Sequence, residues 1–231
     1  MALRKAMILA AGRGERMRPL TDTIPKPLLV VNGKPLIDYH LQRLASAGIE
    51  DVVINICWLG EKIQAHVGNG HTYGLNVVYS PEPEALETAG GIQNALPLLR
   101  SNNDCSDFLI LNADVLSDDP LPQLCDFKLN NDLAKLLLIP TPDYLKGDFE
   151  LIENRILRKS DDPARATVTY AGLGVYSMKM FEHLSAGPMP LLPLLLDAIE
   201  KARLAGELLN GQWLDVGTPE RLRMAQDQPA E

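Results

Sequence analysis

Cysteine is scarce in this sequence, and the residues that occur are far apart. Cys57, Cys105 and Cys125 are odd in number, and none of them forms a C-x-x-C pair. This spacing argues against a disulfide framework and against a cysteine-based zinc site, because both need closely paired cysteines. So sparing a use of cysteine is typical of a reducing compartment, and we expect a cytoplasmic protein.

The chain also lacks a long hydrophobic run. The apolar segment at residues 6–11 has the length of a strand and leads into a glycine-containing loop, so we predict no signal peptide. The later run at residues 191–196 is short and contains Pro193. It is too short to cross a bilayer, and we predict no membrane span.

Positive charge is in deficit, with 22 Lys and Arg against 30 Asp and Glu and a net charge of −8. That balance argues against a protein that binds nucleic acid or anionic membranes non-specifically. A basic cluster nevertheless stands out near the N-terminus. Its members are Arg4, Lys5, Arg13, Arg16, Arg18 and Lys26. A local basic cluster in an acidic chain indicates capture of a small anionic ligand.

Short apolar runs alternate with amphipathic segments through the first part of the chain. We predict buried strands at residues 5–9, 51–56, 76–79, 108–111 and 135–139. Helices are predicted between them, including one capped by Thr88 that reaches residue 99 and one over residues 120–130. Regular alternation with continuously apolar strands predicts an α/β fold with a doubly wound, mostly parallel, Rossmann-like sheet.

The pattern changes after Pro142. A hairpin is predicted over residues 147–159, a strand over 167–176, a helix over 191–205 and a short strand from residue 213 that leads into a last helix. Repeats, low-complexity tracts and linkers are absent from the sequence. We therefore predict a single domain over residues 1–231.

A loop rich in glycine and arginine follows the first predicted strand. Gly12, Gly14 and Arg16 lie in it, and Lys26 follows between two prolines. Glycines let backbone N–H groups approach an anion, and the basic side chains add charge, so the order suits a polyphosphate. The dinucleotide pattern G-x-G-x-x-G fails because Met17 replaces its third glycine, which argues against a Rossmann dehydrogenase. By spacing alone, an ordinary surface turn remains an equal alternative.

Two aspartates end predicted strands. Asp114 lies at the ligand edge of the expected sheet, and Asp215 precedes Gly217-Thr218-Pro219. Either one alone is compatible with turn chemistry. If the late strand returns beside the first half, the two carboxylates converge near the phosphate loop, where they would suit Mg²⁺.

Taken together, these segments resemble the sugar-1-phosphate nucleotidyltransferases. The likeness covers residues 9–21, Pro25-Lys26-Pro27, Asn112-Ala113-Asp114 and residues 213–218, and so spans nearly the whole chain. It implies a GT-A-like nucleotidyltransferase fold, with a nucleotide-binding half at about 1–142 and a sugar-binding half at about 143–231. One departure is Ala113, where the family usually has glycine. We expect little consequence if the φ angle there is negative.

The resemblance also implies roles for individual residues. Lys26 and Arg16 would be catalytic, Asp148 would bind the sugar, and Asp114 with Asp215 would hold Mg²⁺ as the cofactor. The nucleotide-binding set that it implies is Gly12, Gly14, Glu15, Arg16, Lys26 and Asn112. Residues 80–91 would face the base, without any single residue matched securely.

Within the family, the short length, Glu87-Thr88-Ala89-Gly90-Gly91 and Gly147-Asp148-Phe149 are most similar to members that act on N-acetylmuramate 1-phosphate. The resemblance thus implies a Mg²⁺-dependent uridylyltransferase that makes UDP-N-acetylmuramate and pyrophosphate in the recycling of cell-wall peptidoglycan. Its partners would be UTP and a sugar 1-phosphate, not nucleic acid or a membrane. Two alternatives stay open: another enzyme of the family, such as a mannose-1-phosphate guanylyltransferase, and a non-catalytic module that senses nucleotide sugars.

Overall fold

The fold is taken from a computed structural model, which describes residues 2–100, 107–118, 121–162 and 164–227. Cys105 and the first residue of the helix predicted over 120–130 lie outside these ranges. The strands are β1 (Lys5–Leu9), β2 (Val30–Val31), β3 (Lys34–Pro35), β4 (Asp51–Ile56), β5 (Asn76–Pro81), β6 (Asp107–Asn112), β7 (Val115–Ser117), β8 (Ala134–Pro140), β9 (Phe149–Ile152), β10 (Arg155–Arg158), β11 (Val168–Ser177), β12 (Leu204–Leu208) and β13 (Trp213–Asp215). The helices are α1 (Leu36–Ser46), α2 (Gly60–Val67), α3 (Glu87–Leu99), α4 (Leu121–Asp126), α5 (Leu192–Glu200) and α6 (Pro219–Asp227).

Nine of the described strands form one mixed sheet in the order β5-β4-β1-β6-β11-β8-β12-β10-β9. The first four strands of this order are mutually parallel. Leu9 at the end of β1 pairs with Asn55 of β4 on one side and with Asn112 of β6 on the other. These three residues therefore form a row at the carboxyl edge of the sheet, where α/β folds bind ligands.

The other part of the sheet is antiparallel at most of its ladders. Strand β11 runs antiparallel between β6 and β8, and β12 is parallel to β8. The hairpin of β9 and β10 completes the sheet, and β9 also meets β11 through Val168 and Phe149. Strands from before and after residue 142 thus share one sheet. The predicted α/β class with a mixed, mostly parallel central sheet is confirmed, while the assignment of one half to the nucleotide and one to the sugar stays a prediction.

Helices cover both faces of the sheet because the strand side chains alternate between two cores. Ile8 of β1 packs in one core with α1, α2 and α4. The next residue back, Met7, packs in the other core with α3 and α5. This arrangement is the doubly wound one that the alternation of elements predicts. None of the helices in the described ranges is both long and apolar enough to span a membrane.

The helix predicted over residues 191–205 is wrong in its last part. Helix α5 ends at Glu200, and Leu204–Leu208 form strand β12, which pairs with β8. Ala202 adopts a positive φ of 52°, a conformation that a right-handed helix does not continue through. The leucine-rich sequence does not distinguish a buried helix from a buried strand, and the neighbouring strand decides between them.

Two helix ends also differ from prediction. Helix α4 ends at Asp126, four residues before the predicted end at 130. Thr88 does not cap α3, which begins at Glu87 without a side-chain cap. Instead, the carbonyl of Met189 accepts hydrogen bonds from the N–H groups of Ala89 and Gly90, at 2.9 and 3.1 Å. A distant loop thus satisfies amides that a local cap usually satisfies.

A third apolar cluster carries the end of the chain to its beginning. Val216 and two residues of α6, Leu222 and Ala225, pack with Met17 of the opening loop and Val31. Burial of this cluster holds the segment around Asp215 next to the glycine-rich loop. The condition that the sequence left open, a late strand returning beside the first half, is therefore met.

Candidate active site

A cavity of about 270 Å³ opens at the carboxyl edge of the parallel strands. Gly12 and Lys26 line it from the opening loop, and Asn112 and Asp114 line it from the end of β6. The opposite wall is formed by Glu82 and residues 85–88. Four residues predicted for the site thus meet at one cavity, together with the stretch that the resemblance assigned to the base.

The opening loop is shaped by its own side chains. Gly14 adopts a φ of 70°, and a Cβ there would lie 2.9 Å from Thr21 Cγ2. The Arg13 guanidinium stacks 3.7 Å from the Trp58 ring centre and donates to the Thr21 carbonyl at 2.8 Å. Arg13 also binds Asp22 at 2.8 Å, and this hydrogen bond lowers the pKa of that carboxyl. Arg13 therefore braces the loop and is not available to a ligand.

Lys26 is positioned by the backbone on either side of it. It begins a single 3-10 turn after an extended Pro25, and the Leu29 N–H donates to the Lys26 carbonyl at 3.1 Å. Its Nζ contacts Asp114 Oδ2, and the two side chains are 12% and 28% exposed. The proline-flanked lysine thus presents a held amine to the cavity, as the sequence predicts.

Asp215 reaches the same region through a short antiparallel ladder. Strand β13 pairs with β7, with Asp215 opposite Val115. The Val216 N–H donates to the Asp114 carbonyl at 2.8 Å. Asp114, in the turn directly before β7, and Asp215, at the end of β13, are therefore brought to the same end of one ladder.

The two carboxylate oxygens of Asp215 have different environments. Arg221 Nη1 binds Oδ2 at 2.6 Å, whereas Oδ1 is buried and has no hydrogen-bond partner within the described part of the chain. A Cβ built on Gly217 would lie 2.6 Å from that Oδ1, 2.7 Å from Arg221 Nη2 and 3.0 Å from Arg16 Nη2. Gly217 therefore leaves open a small space where a carboxylate oxygen and two guanidinium groups converge.

This chemistry fits a magnesium ion. Two carboxylates, one with a buried oxygen that has no hydrogen-bond partner among the residues that the structure describes, match an ion that takes one or two carboxylates. Such an ion completes its shell with phosphate oxygens and water. Across the described ranges, no group of three or more His, Cys, Asp and Glu residues is placed to hold a metal. The arrangement thus suits a metal shared with a phosphate ligand, not a cage made by protein alone.

Other predicted residues lie outside the cavity wall. The Glu15 side chain is 68% exposed, 3.9 Å from Arg13 Nε and 3.8 Å from Arg18 Nη1. Asp148 is exposed, and its Oδ2 accepts a hydrogen bond of 2.9 Å from the Tyr170 N–H. The proposed sugar and nucleotide contacts of these two residues stay predictions.

Sequence reasoning missed several residues that build the site. Arg221, Asn55 and Glu82 are not in the predicted set, since no short motif announces them. The condition set for Ala113 is met, because its φ is not positive, and the small consequence expected of this departure stays a prediction. Helix α1 adds a fully buried His40, whose pKa burial lowers to about 4. It is therefore neutral near pH 7 and adds no charge beside Asp114.

Comparisons with known proteins show what the chain is similar to. The model of the family described as Nucleotidyl transferase matches residues 5–231. The chain is 46% identical over 230 residues to N-acetylmuramate alpha-1-phosphate uridylyltransferase of Neisseria meningitidis serogroup B, covering 96% of each chain. It is 33% identical over 226 residues to mannose-1-phosphate guanylyltransferase of Mycobacterium tuberculosis, covering 93% of this chain and 61% of that protein. A solved structure of a putative glucose-1-phosphate thymidylyltransferase from Bacillus anthracis has a TM-score of 0.83 at 23% identity, over 98% and 97% of the two chains.

Proposed function

Because this chain belongs to the nucleotidyl transferase family, we propose that it makes UDP-N-acetylmuramate and pyrophosphate from UTP and N-acetylmuramate 1-phosphate. The observation that carries the choice of substrates is the 46% identity, over 96% of both chains, to the N-acetylmuramate alpha-1-phosphate uridylyltransferase of Neisseria meningitidis. The guanylyltransferase relative matches at 33% and extends well beyond the matched region. Lys26 on the cavity wall, next to Asp114, supports catalysis over a purely sensing role.

The reaction needs little proton chemistry. A phosphate oxygen of the sugar phosphate is already anionic near neutral pH, so it attacks the α-phosphorus of UTP without a general base. A new P–O bond forms as the bond between the α-phosphorus and its bridging oxygen breaks, and pyrophosphate leaves with the electron pair. The barrier lies mainly in bringing polyanions together in line, which is a task of positioning and charge.

Lys26 and Arg16 supply that charge in our proposal. The Lys26 amine lies on the cavity wall, where it can exchange its contact with Asp114 for phosphate oxygens. The Arg16 guanidinium lies beside Gly217, next to Arg221. Preorganised cations of this kind stabilise charge that develops on the leaving pyrophosphate.

Asp114 and Asp215 would hold Mg²⁺, and the buried Oδ1 of Asp215 supports that assignment. When bound, the ion would supply Lewis-acid polarisation and neutralise triphosphate charge. The chain's own part is to bring the two carboxylates to one end of the β7–β13 ladder and to hold Asp215 through Arg221.

We further propose that Asp148 contacts the sugar and that the protein acts in the cytoplasm, in peptidoglycan recycling. Asp148 follows Gly147, whose φ is 69°. The Asp148 N–H donates to the Val168 carbonyl at 2.9 Å. These contacts hold its segment on the edge of β11. The few, widely spaced cysteines support a reducing compartment.

Pyrophosphate release is expected to be fastest with UTP and N-acetylmuramate 1-phosphate. Purified protein with Mg²⁺ would be offered a matrix of nucleoside triphosphates and sugar 1-phosphates, and kcat/KM would be measured for each pair. We expect this pair to exceed every other by at least about tenfold, since one or two specific contacts supply that much discrimination. Release only with GTP and mannose 1-phosphate would overturn the substrates, and no release from folded protein would overturn the enzyme.

Gly217→Ala is expected to lower kcat at least about tenfold with little loss of stability. The added methyl group would lie under 3.0 Å from Asp215 Oδ1 and Arg221 Nη2, which are ends of side chains that can shift. The shift would displace the carboxylate from its charged neighbours without disturbing backbone packing. Steady-state kinetics and thermal melting would be compared with those of the wild type. Unchanged kcat would show that the space beside Gly217 is not used.

A further inference from the structure

Two buried polar side chains lie in the cavity wall, and the reaction scheme above gives neither of them a role. Asn55, near the end of β4, is 4% exposed, and Glu82, directly after β5, is 6% exposed. A buried carboxylate is costly unless hydrogen bonds replace its water. Its partners therefore show what the burial accomplishes.

The partners form a chain of hydrogen bonds across the cavity wall. The Ala10 N–H donates to Asn55 Oδ1 at 2.8 Å, and Asn55 Nδ2 donates to Glu82 Oε1 at 2.7 Å. The Leu86 N–H then donates to Glu82 Oε2 at 3.1 Å. Ala10 is the first residue after β1 in the glycine-rich opening loop, which is the phosphate loop of the proposed function, and Leu86 directly precedes α3. The pair thus ties together the two walls of the cavity.

The surroundings leave little freedom for the pair. A Cβ on Gly91 would lie 2.6 Å from Glu82 Oε1 and 3.0 Å from Asn55 Nδ2, so α3 packs directly on both side chains. The Leu86 carbonyl accepts a hydrogen bond of 2.9 Å from the Met189 N–H. The peptide groups of Leu86 are therefore held on one side by Glu82 and on the other by Met189.

We propose that Asn55 and Glu82 are positioning residues that set the distance between the phosphate loop and residues 85–88 before the nucleotide binds. The proposal rests on the proposed function, in that it takes this cavity as the nucleotide site. If either link is broken, nucleotide binding has to order a wall that is now held in advance. Affinity for the nucleotide then falls, while the steps at phosphorus, which other residues carry, change little.

Exchanging the charge between the two positions tests this. In Glu82→Gln the amide offers one acceptor oxygen, so it cannot serve both Asn55 Nδ2 and the Leu86 N–H. In Asn55→Asp two carboxylates face each other. In the double variant the carboxylate at position 55 accepts from Ala10 and from the new amide, whose oxygen accepts from Leu86. Every hydrogen bond is then restored with the charge moved.

We expect each single variant to raise the UTP dissociation constant and KM at least about tenfold, because nucleotide binding must then order the wall that the lost hydrogen bond held in place. The double variant should return to within about threefold of the wild type, and kcat should stay within about threefold throughout. Calorimetric titration with UTP, steady-state kinetics and thermal melting would be run on all four proteins. If Asn55→Asp fails to fold, the UTP affinity of Glu82→Gln is compared with that of the double variant, and this comparison tests the proposal.

Asn94→Ala is the matched control. Asn94 lies on α3, the helix that packs on Asn55 and Glu82, and it donates to Ser80 Oγ at 3.0 Å and to the Pro81 carbonyl at 3.3 Å. It is exposed and does not line the cavity. The Asn94→Ala variant should bind UTP as the wild type does.

A folded double variant that still binds weakly would mean that the Glu82 charge contacts the base itself, which overturns the positioning role. Single variants with wild-type affinity would overturn it too, whereas wild-type protein that binds no UTP would defeat the proposed function and remove this inference with it.

Discussion

Lys26→Ala is expected to lower turnover at least about a hundredfold while the protein stays folded. The amine lies on the cavity wall, 12% exposed, and its backbone is held by the 3-10 turn that begins there. Loss of one preorganised electrostatic contact to a transition state typically costs about 3–4 kcal/mol of barrier. The fold should survive because Asp114, left without its cation, is 28% exposed and can hydrate. Pyrophosphate release at saturating substrates would measure turnover, and thermal melting would report the fold.

Two further variants separate charge from packing. Lys26→Met keeps an unbranched stem without the amine, and it should be about as poor as Lys26→Ala. Lys34→Ala is the matched control, since Lys34 Nζ binds Gln42 Oε1 at 2.7 Å and lies 4.6 Å from the Tyr39 ring centre, away from the cavity. It should keep wild-type turnover. If Lys26→Ala kept near-normal turnover, the lysine would have no catalytic role.

Asp114→Ala is expected to lower turnover at least about a hundredfold as well, through a different loss. It removes the carboxylate that directly precedes β7, so the Asp215 carboxylate at the end of β13 would hold the metal alone. The variant should therefore need a higher Mg²⁺ concentration for half-maximal activity, in addition to its lower kcat. Titration with Mn²⁺ in the presence of a nucleotide, followed by electron paramagnetic resonance, would report metal binding without turnover.

Asp118→Asn is the control for Asp114→Ala. Asp118 directly follows β7 and accepts a hydrogen bond of 3.0 Å from the Gln212 N–H, so it flanks the same ladder at its other end, and it is exposed. Its variant should bind Mn²⁺ and turn over as the wild type does. If Asp114→Ala bound Mn²⁺ normally and lost activity only in step with Lys26→Ala, Asp114 would serve to hold the lysine and not the metal.

Several central strands were predictable because each is a mostly apolar run with clear ends. Strands β1 and β4 match their predicted bounds, and β6 and β8 extend theirs by one residue at each end. Strand β12 was not predictable, because Leu204–Leu208 follow a leucine-rich helix and their own pattern suits either structure. Pairing with β8 decides their conformation.

The candidate site shows the same division. Lys26 and Asp114 could be found from the sequence, since a proline-flanked lysine and an aspartate after a buried strand are local patterns. Arg221, Asn55 and Glu82 could not, because their partners lie on other elements and follow no spacing. Arg13 has the charge of an anion-binding residue, but its guanidinium stacks on Trp58 and forms an ion pair with Asp22.

The sequence by itself determined the run of strands and helices, the glycine-rich loop and the family to which its motifs point. These follow from neighbouring residues, through backbone freedom, side-chain alternation and burial. Only the tertiary structure decided that Asp215 lies beside Arg16 and that one Asp215 oxygen is buried with no partner in the described part of the chain. It also decided that Asn55 and Glu82 join the two cavity walls. Those contacts depend on the strand order and on the packing of α6 against Met17, which distant segments settle together.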